Sequence, residues 1–574
     1  MEYLGVFVLV SSFVILLVLG VPIAFSIGIA GILTMLVSID IVPAITTFAH
    51  TMATGLDSFT LLAIPFFILA GNIMNQGGIA LKLIDFARVI VGRLPGGLAF
   101  VNILANMLFG AISGSAAASA SAIGTIMGPE LEKEKYPKNF STAINITSAT
   151  TGLSIPPSNI LIVYSLASGG ASIAALFMAG YIPGILTGLA LMLVAGSFAL
   201  RRQHAVSKEH SLGDIGLTII NLTTVLLISY IFVNYQLNWI YLVIFGFWVK
   251  SLLRISFRGK NLYAWIYPII GIGSSVIYYL ISGSFTIYTV APALMGFVPL
   301  ITRKGHTALF IQTIFVAVAI NLHGMIHYIT TGILFIYLII LILTRNANEE
   351  TLNDLFKGTK KFLASLPSLL LLVIVIGGII AGIFTATEAS AVAVLYALVL
   401  AFVYNQIGVK DIPEVLMQSI RTTAIVLLLV AASIALSWIM SFENIPQNVS
   451  EALLTLSDNK FLILIIINLI LLFVGVFMDM TPAVLIFTPI FLPIVTSLGL
   501  DPIHFGIIMV LNLSVGLCTP PVGSVLFIGC SVSKISIEKV IKPLIPMFVA
   551  MIVVLMLVTY IPALSMWLPG LFGF

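Results

Sequence analysis

The sequence predicts an all-α polytopic membrane protein built as an inverted repeat, with two re-entrant hairpins and two broken helices. The 574 residues are 60% hydrophobic and 8% charged, with a mean hydropathy of +1.20, which is far from the composition of a soluble domain. Lys and Arg fall in short clusters between apolar spans, as they do at the cytoplasmic ends of membrane helices. A Gly-Leu-x-x-Pro-Pro segment occurs twice, at Gly152–Pro157 and Gly516–Pro521, in two halves that otherwise repeat.

Residues 1–200 are predicted to form the first repeat. Its hairpin is expected near 96–130, because basic residues at both ends place both ends in the cytoplasm, while the centre is the small, polar Ser113-Gly114-Ser115. The alternative, a plain membrane-crossing helix, would leave the basic flanks on opposite sides. A broken helix is predicted over 140–168, where the first Pro-Pro pair interrupts an apolar span.

Residues 357–574 are predicted to repeat this order upside down. The second hairpin is expected near 461–498, with its tip around Asp479, and the second broken helix over 505–531. One hairpin then opens inward and the other outward, as an inverted repeat requires.

An extra block at 207–349 separates the two halves. It contains about six apolar stretches with positive charge at every second connection, which predicts three outward-pointing hairpins. Several stretches are shorter than the ~20 residues of a normal span, so four or five crossings remain an alternative. The block has no Pro-Pro break, and we expect it to act as a static scaffold.

The two Pro-Pro breaks are the best indication of function in the sequence. Proline inside a helix frees backbone carbonyls, and in a membrane such a break persists only where it is buried in protein or lines a polar cavity. Matching breaks in two halves are typical of the midplane site of a secondary transporter. The alternative is that each pair only kinks a packed helix.

Hydroxyls and freed carbonyls at the tips and breaks are hard oxygen ligands, which suit a small dehydrated cation. The predicted cation ligands lie in two groups, one per repeat. They are Ser113, Ser115, Gly152 and Ile155 in the first, and Gly475, Asp479, Gly516 and Thr519 in the second. Ser154, Ser158 and Thr481 are the candidates for substrate binding.

Asp479 is the sharpest of these signals, because an ionisable residue inside a membrane segment is costly and usually functional. The alternative role is to cap the N-terminus of a hairpin helix, and both roles can hold together. For Glu388, after the threonine-rich break at 385–387, a capping role is favoured over a coupling role. His323 and His327 have the i, i+4 spacing of metal ligands, but their loop-like context favours histidines at the membrane edge.

At its tips and breaks the sequence resembles the large membrane subunit of tripartite ATP-independent periplasmic (TRAP) transporters. The matching pieces, in order, are Ile64–Gly71, Ser113–Ser115, Gly152–Pro157, Phe384–Ala389 and Gly516–Pro521. The resemblance implies an elevator-type transporter of the bacterial inner membrane, driven by a sodium gradient and without an organic cofactor. It also implies that an organic acid arrives from a periplasmic binding protein, and that a small four-helix membrane subunit is a partner unless the extra block replaces it.

The resemblance further implies specific sodium ligands. One site would use Ser113, Gly152, Ile155 and Pro157, and the other would use Asp479, Gly516 and Thr519. Three features depart from the family pattern. Ser119 stands where an acidic residue is usual after the first tip, Ala386 replaces the usual proline, and the block 207–349 replaces a short loop.

The predicted function is therefore sodium-coupled import of a small organic acid anion, with no enzymatic activity. One alternative is a stand-alone ion-coupled carrier that needs no binding protein. Another is an intramembrane enzyme or metal-binding membrane protein built around Ser113 or around His323 and His327. The apolar spans contain no arginine cluster that would hold a substrate carboxylate, so the sequence does not identify the substrate.

Overall fold

The computed structural model describes residues 4–92, 94, 96–201, 349–456, 459–520 and 523–574, and the predictions for the extra block and for His323 and His327 lie outside them. The first half contains ten α-helices in these ranges. They are α1 (Leu4–Val18), α2 (Ile23–Ser38), α3 (Ile41–Gly55), α4 (Ala63–Gln76), α5 (Ile79–Val91), α6 (Gly97–Ser113), α7 (Ala116–Lys133), α8 (Lys138–Thr151), α9 (Asn159–Ala167) and α10 (Ile173–Arg201). A short 3-10 helix, Phe59–Leu62, precedes α4.

The second half contains another ten helices within the described residues. They are α11 (Glu349–Ile380), α12 (Ala386–Val403), α13 (Ile412–Phe442), α14 (Ile445–Leu456), α15 (Lys460–Phe477), α16 (Met480–Ser497), α17 (Pro502–Gly516), α18 (Ser524–Ser533), α19 (Ile537–Tyr560) and α20 (Ala563–Leu571). The chain divides into two compact units, Met1–Glu209 with Thr359–Phe574, and His210–Gly358. All the features described below lie in the first unit.

Five helices recur in the same order in the two halves: a hairpin pair, a broken pair and a long closing helix. They are α6 to α10 in the first half and α15 to α19 in the second. Within each half, the first hairpin helix packs on the first broken helix, α6 on α8 and α15 on α17. Each half therefore contains a helix pair joined by a short tip and a second helix pair separated by a break, in the same order.

The two sets of five helices also pack crosswise. The second hairpin helix of each set contacts the second broken helix of the other set, α7 on α18 and α16 on α9. The closing helices cross in the same way, α10 on α17 and α19 on α8. Because every pair has a counterpart, the two halves share one core and each completes the site region of the other.

The remaining helices of this unit form a second group in which α4 packs against α12, and α13 packs against α2, α3 and α4. Polar contacts hold this group together: the Asn72 amide on α4 donates to Ser419 on α13 over 2.8 Å. Large apolar side chains such as Val18, Leu395, Ile425 and Phe473 are exposed on the helix surfaces, as lipid contact requires. Within the described residues, seven helices are long and apolar enough to cross a membrane.

Four helices were not predicted as separate elements. They are α3, α5, α14 and α20. Three of these, α3, α5 and α14, are shorter than a span, and only one face of each is apolar. On α5, for example, Ile79, Leu83 and Ala87 are buried, while Leu81 is exposed. A search for apolar stretches long enough to cross a membrane therefore does not find them.

The charge pattern makes a topology prediction that can be tested with cysteines at Lys133 and Glu451, both exposed. Lys133 ends α7 and should react with a membrane-impermeant maleimide only from the cytoplasm, whereas Glu451 on α14 should react only from outside. The native Cys518 and Cys530 are buried and should contribute little background. Labelling of both introduced cysteines from one side would contradict the inverted repeat.

Candidate functional site

The first break separates α8 from α9 and covers residues 152–158. Consecutive turn hydrogen bonds follow the end of α8: the Leu153 amide donates to Thr150 over 3.2 Å and the Ile155 amide to Gly152 over 3.2 Å. The Ser158 hydroxyl donates to the Leu153 carbonyl, so this predicted substrate ligand already stabilises the break. The prolines thus end one helix, and the chain turns before the next begins.

The break lies directly against the first hairpin because two glycines meet. A β-carbon at Gly152 would lie 2.5 Å from the α-carbon of Gly110 on α6, which no real side chain tolerates. Gly110 is one turn before Ser113, the end of α6. On the other side of the tip, a β-carbon at Gly71 of α4 would lie 2.9 Å from the Ser113 carbonyl oxygen. The tip is therefore packed between α4 and the break.

The second repeat makes the same contact. A β-carbon at Gly516, the last residue of α17, would lie 2.6 Å from the α-carbon of Gly475 on α15. Gly475 is one turn before Asp479. The Thr519 hydroxyl bonds the Val515 carbonyl at 2.9 Å, inside its own turn. Two backbones in contact leave only carbonyls and short side chains to line the junction, and these are oxygen donors suited to a small cation.

The two breaks face each other in the shared core. Cys518, in the second break, lies with its sulfur 3.6 Å from the Ile146 carbonyl oxygen and 3.8 Å from the Thr150 hydroxyl on α8. Thr150 immediately precedes the first break. The structure therefore brings the two predicted groups of ligands to one region, although they are far apart in the chain.

The hairpin tips differ in structure. At the first tip Gly114 has a φ of 62°, and the Ser115 side chain caps α7 by accepting from the Ala118 amide over 3.2 Å. The Ser113 hydroxyl lies 3.4 Å from the backbone oxygen of Ser115. At the second tip Asp479 is the N-cap of α16, yet its side chain makes no capping hydrogen bond.

Asp479 is exposed, whereas its neighbours Met478 and Met480 are buried. This carboxylate is predicted inside a membrane segment at the tip of the second hairpin, and Asp479 lies between α15 and α16 at that tip. Thr481, on the first turn of α16, is half-buried.

Two of the predicted ligands, Ser154 and Ile155, also contact α10. A β-carbon at Gly180 of α10 would overlap the Ser154 carbonyl oxygen, and one at Gly184 would lie 2.5 Å from the Ile155 side chain. Ser154 and Ile155 therefore pack on α10. The Ser154 hydroxyl is buried and has no hydrogen-bond partner among the described residues, so it is the one predicted substrate ligand with an unused hydroxyl in the core.

Sequence reasoning missed a buried amide cluster beneath the first break. The Asn106 amide on α6 donates to the Asn145 side-chain oxygen over 3.1 Å and to the Ser148 hydroxyl over 2.9 Å, both on α8. Ser119, noted above as a departure from the family pattern, donates to the Asn106 side-chain oxygen over 2.7 Å. These bonds join α6 to α8 and α7 to α6. Asparagines in otherwise apolar helices were the signal that could have revealed the cluster.

The second repeat has a smaller version of this cluster. The Asn512 amide on α17 donates to the Asn468 side-chain oxygen on α15 over 2.7 Å. Side-chain hydrogen bonds therefore join the first hairpin helix of each repeat to its first broken helix, in addition to the glycine contact. Such bonds are expected where a site must keep its geometry while it changes occupancy.

Glu388 has the capping role that the sequence favoured. Thr385 and Glu388 form a reciprocal capping box at the start of α12: the Glu388 amide donates to the Thr385 hydroxyl and the Thr385 amide to the Glu388 carboxylate. The proline that the family usually has at Ala386 is not needed for this cap. No group of three or more His, Cys, Asp or Glu side chains able to hold a metal occurs in the described part of the chain.

Comparison with known proteins identifies relatives along nearly the whole chain. The family model described as tripartite ATP-independent periplasmic transporter, DctM component, matches residues 10–251 and 276–564. An uncharacterized protein, YgiK, of Salmonella typhimurium is 45% identical over 100% of this chain and 99% of its own length. The C4-dicarboxylate TRAP transporter large permease protein DctM of Rhodobacter capsulatus is 29% identical, over 97% of each chain.

A longer relative and a solved structure complete the comparison. The isethionate TRAP transporter permease protein DctMQ of Oleidesulfovibrio alaskensis is 31% identical over 98% of this chain, which spans 66% of that protein. The crystal structure of the Alcanivorax borkumensis YdaH transporter, described as having an unusual topology, matches with a TM-score of 0.50 at 10% identity. That match covers 91% of this chain and 87% of the other. At this identity the likeness concerns the fold alone.

Proposed function

This chain belongs to the DctM component family of tripartite ATP-independent periplasmic transporters, and we propose that it couples the inward movement of sodium to the import of a small organic acid anion. It is an integral protein of the inner membrane. The observation that carries the proposal is the repeated junction in which Gly110 meets Gly152 and Gly475 meets Gly516. Each junction places a hairpin tip beside a helix break.

Sodium is the cation that these junctions favour. Both are lined by backbone carbonyls and hydroxyls, and neutral oxygens hold a monovalent cation without requiring several carboxylates. Asp479 adds one negative charge to the second junction. We assign the first sodium ion to the junction of Ser113, Ser115, Gly152, Ile155 and Pro157, and the second to that of Gly475, Asp479, Gly516 and Thr519.

The substrate is an organic acid, since the relatives' names specify C4-dicarboxylate and isethionate. The described candidates Ser154 and Thr481 are neutral hydrogen-bond donors. Helices α9 and α18 begin at the breaks, and the partial positive charge at their N-termini favours an anion. The acidic group of the substrate is then held by neutral donors and by the bound cations rather than by arginine.

The transport movement is an elevator in which the ten crosswise-packed helices slide as a body. Those helices share one core through matched contacts, and they contain both junctions. Helices α1 to α4 and α11 to α13 supply the fixed side. A periplasmic binding protein delivers the substrate, and a small membrane subunit, or the block at 207–349, completes the fixed side.

Uptake into proteoliposomes tests this function. Succinate, as a C4-dicarboxylate probe, and isethionate should accumulate only when an inward sodium gradient is imposed and a periplasmic extract of the source cell supplies the binding protein. Potassium or a proton gradient should not replace sodium. Sodium-driven uptake without the extract would instead indicate a stand-alone carrier, and sodium-independent uptake of either probe would contradict the coupling.

A further inference from the structure

A small polar cavity lies at the end of the first repeat that the charge pattern places in the cytoplasm. Its volume of about 10 Å³ is the space of one water molecule. Four helices form its wall, and each contributes a polar residue: Asn102 on α6, Glu132 on α7, Thr142 on α8 and Ser533 on α18. Every described residue that lines the cavity is polar or a glycine, so the cavity is suited to a polar occupant.

The groups that line the cavity determine which occupant it fits. The Asn102 side chain is 1% exposed, its oxygen accepts from the Asn106 amide over 2.9 Å, and its nitrogen has no acceptor among the described residues. The hydroxyls of Ser141 and Thr142 donate to carbonyls four residues earlier, over 3.3 and 2.8 Å, so their oxygens can still accept. A water molecule satisfies both demands, because it accepts from the amide and donates to the hydroxyl oxygens. A bare cation would meet the amide hydrogens, and an anion would meet the Glu132 carboxylate.

A line of polar and small residues connects this cavity with the first junction. On α6, Asn106 follows Asn102 by one turn, and Gly110 follows Asn106 by one more. Gly110 contacts Gly152 at the first junction, so this part of α6 spans the distance of about 12 Å between cavity and junction. Asn145 on α8 also lines the cavity, and it accepts from the Asn106 amide over 3.1 Å. We call these five residues the polar seam.

We propose that sodium leaves the first junction for the cytoplasm along the polar seam, and that the cavity is the hydrated cytoplasmic end of this path. The proposal rests on the sodium coupling proposed above and adds a release route to it. Oxygens along the seam replace part of the hydration shell of the ion step by step, as oxygens that line ion pores do. Hydrogen bonds within the seam, such as the one from Asn106 to Asn145, close it when no ion passes.

The size of the cavity separates the routes of the two cargoes. A space of one water molecule admits a partly hydrated sodium ion but not an organic acid, so the substrate leaves by a different route. The solvent side of the cavity carries an ion pair: Lys138 and Glu132 both line it and lie 3.5 Å apart, each about half exposed. An exposed ion pair contributes little to stability, so this one opens for water and sodium at small cost.

Removing a hydroxyl from the cavity wall tests the path without changing its shape. Thr147→Val is the matched control for Thr142→Val, since both threonines are buried on α8 and donate to the carbonyl four residues earlier, over 2.9 and 2.8 Å. In proteoliposomes supplied with the periplasmic extract, Thr142→Val should lower the maximal rate of sodium-driven succinate or isethionate uptake about fivefold, because ion release slows. The external sodium concentration for half-maximal uptake should not rise, because the junction is untouched. Thr147→Val should behave as wild type.

Silver ions test the hydration of the cavity independently of transport, because they are monovalent, similar in size to sodium and bind thiols. Thr142→Cys places a thiol in the cavity wall, and Thr147→Cys is again the control. Ag⁺ is added to the cytoplasmic face of inside-out vesicles in chloride-free buffer, and the unreacted thiols are counted with a maleimide after denaturation. Ag⁺ should protect one thiol more in Thr142→Cys than in wild type, and no more in Thr147→Cys. The native Cys518 and Cys530 give the wild-type count.

Three results would overturn the path. They are wild-type uptake by Thr142→Val, an equal loss in Thr147→Val, and a thiol at position 142 that Ag⁺ does not reach. A raised sodium concentration for half-maximal uptake in Thr142→Val would also contradict it, because the cavity would then belong to the binding site. If wild-type uptake does not depend on sodium, the proposed function itself fails, and the sodium path fails with it.

Discussion

Alanine at Gly516 should abolish transport and lower the thermal stability of the protein sharply. The added β-carbon would lie 2.6 Å from both the α-carbon and the carbonyl carbon of Gly475, and these are backbone atoms that no rotamer change can move aside. Overpacking of this kind costs about 3 kcal/mol or more. The hairpin must therefore separate from the break, and the separation opens the second junction.

Gly152→Ala should have the same effect in the first repeat, since its β-carbon would lie 2.5 Å from the α-carbon of Gly110. The matched control is Gly377→Ala on α11, where nothing lies within 4 Å of the new methyl group. This control should keep transport, and its stability should change by about 1 kcal/mol at most, in the favourable direction, because alanine is the better helix former. Sodium-driven uptake and thermal unfolding in detergent measure both effects.

Wild-type uptake in Gly152→Ala or Gly516→Ala would show that the glycine contacts are not required for the site. A stable protein without uptake would be more informative than an unfolded one, because it would separate the geometry of the junction from the stability of the core. The crosswise contacts of α7 with α18 and α16 with α9 make that outcome attainable, since they hold the hairpins independently of the glycines.

Asp479→Asn should remove most of the sodium dependence of transport while leaving the fold intact. Asparagine keeps the shape of the side chain and removes its charge. Two opposite charges about 4 Å apart attract each other by about 4 kcal/mol at an effective dielectric constant near 20, part of which is offset by desolvation. We therefore expect the apparent affinity for sodium to fall by about 10- to 100-fold.

Asp40→Asn provides a matched control for this substitution. Asp40 is also an exposed N-cap residue whose side chain makes no capping hydrogen bond, at the start of α3. Any general effect of removing an N-terminal charge from a helix appears in both variants, whereas the loss of sodium affinity should appear only in Asp479→Asn. Equal sodium activation curves for the two variants would remove Asp479 from the cation site.

Much of the architecture could be predicted from the sequence because the relevant forces are local. Apolar length predicts a membrane span, a Pro-Pro pair must end a helix wherever it lies, and the Thr385–Glu388 spacing is sufficient for a capping box. The hairpins, both breaks and the order of helices in each half follow from such short-range rules. These rules did not predict the amphipathic helices α3 and α14, because a short helix with one apolar face does not reach the length of a membrane span.

Only the tertiary structure decided which groups meet. The contact of Gly110 with Gly152, the meeting of Cys518 with Thr150, and the burial of Ser154 against α10 join residues far apart in the chain, and no local pattern encodes such distances. The sequence by itself determined where helices break and where charge is scarce. Packing determined which oxygen atoms each break presents, because that depends on how closely two backbones approach.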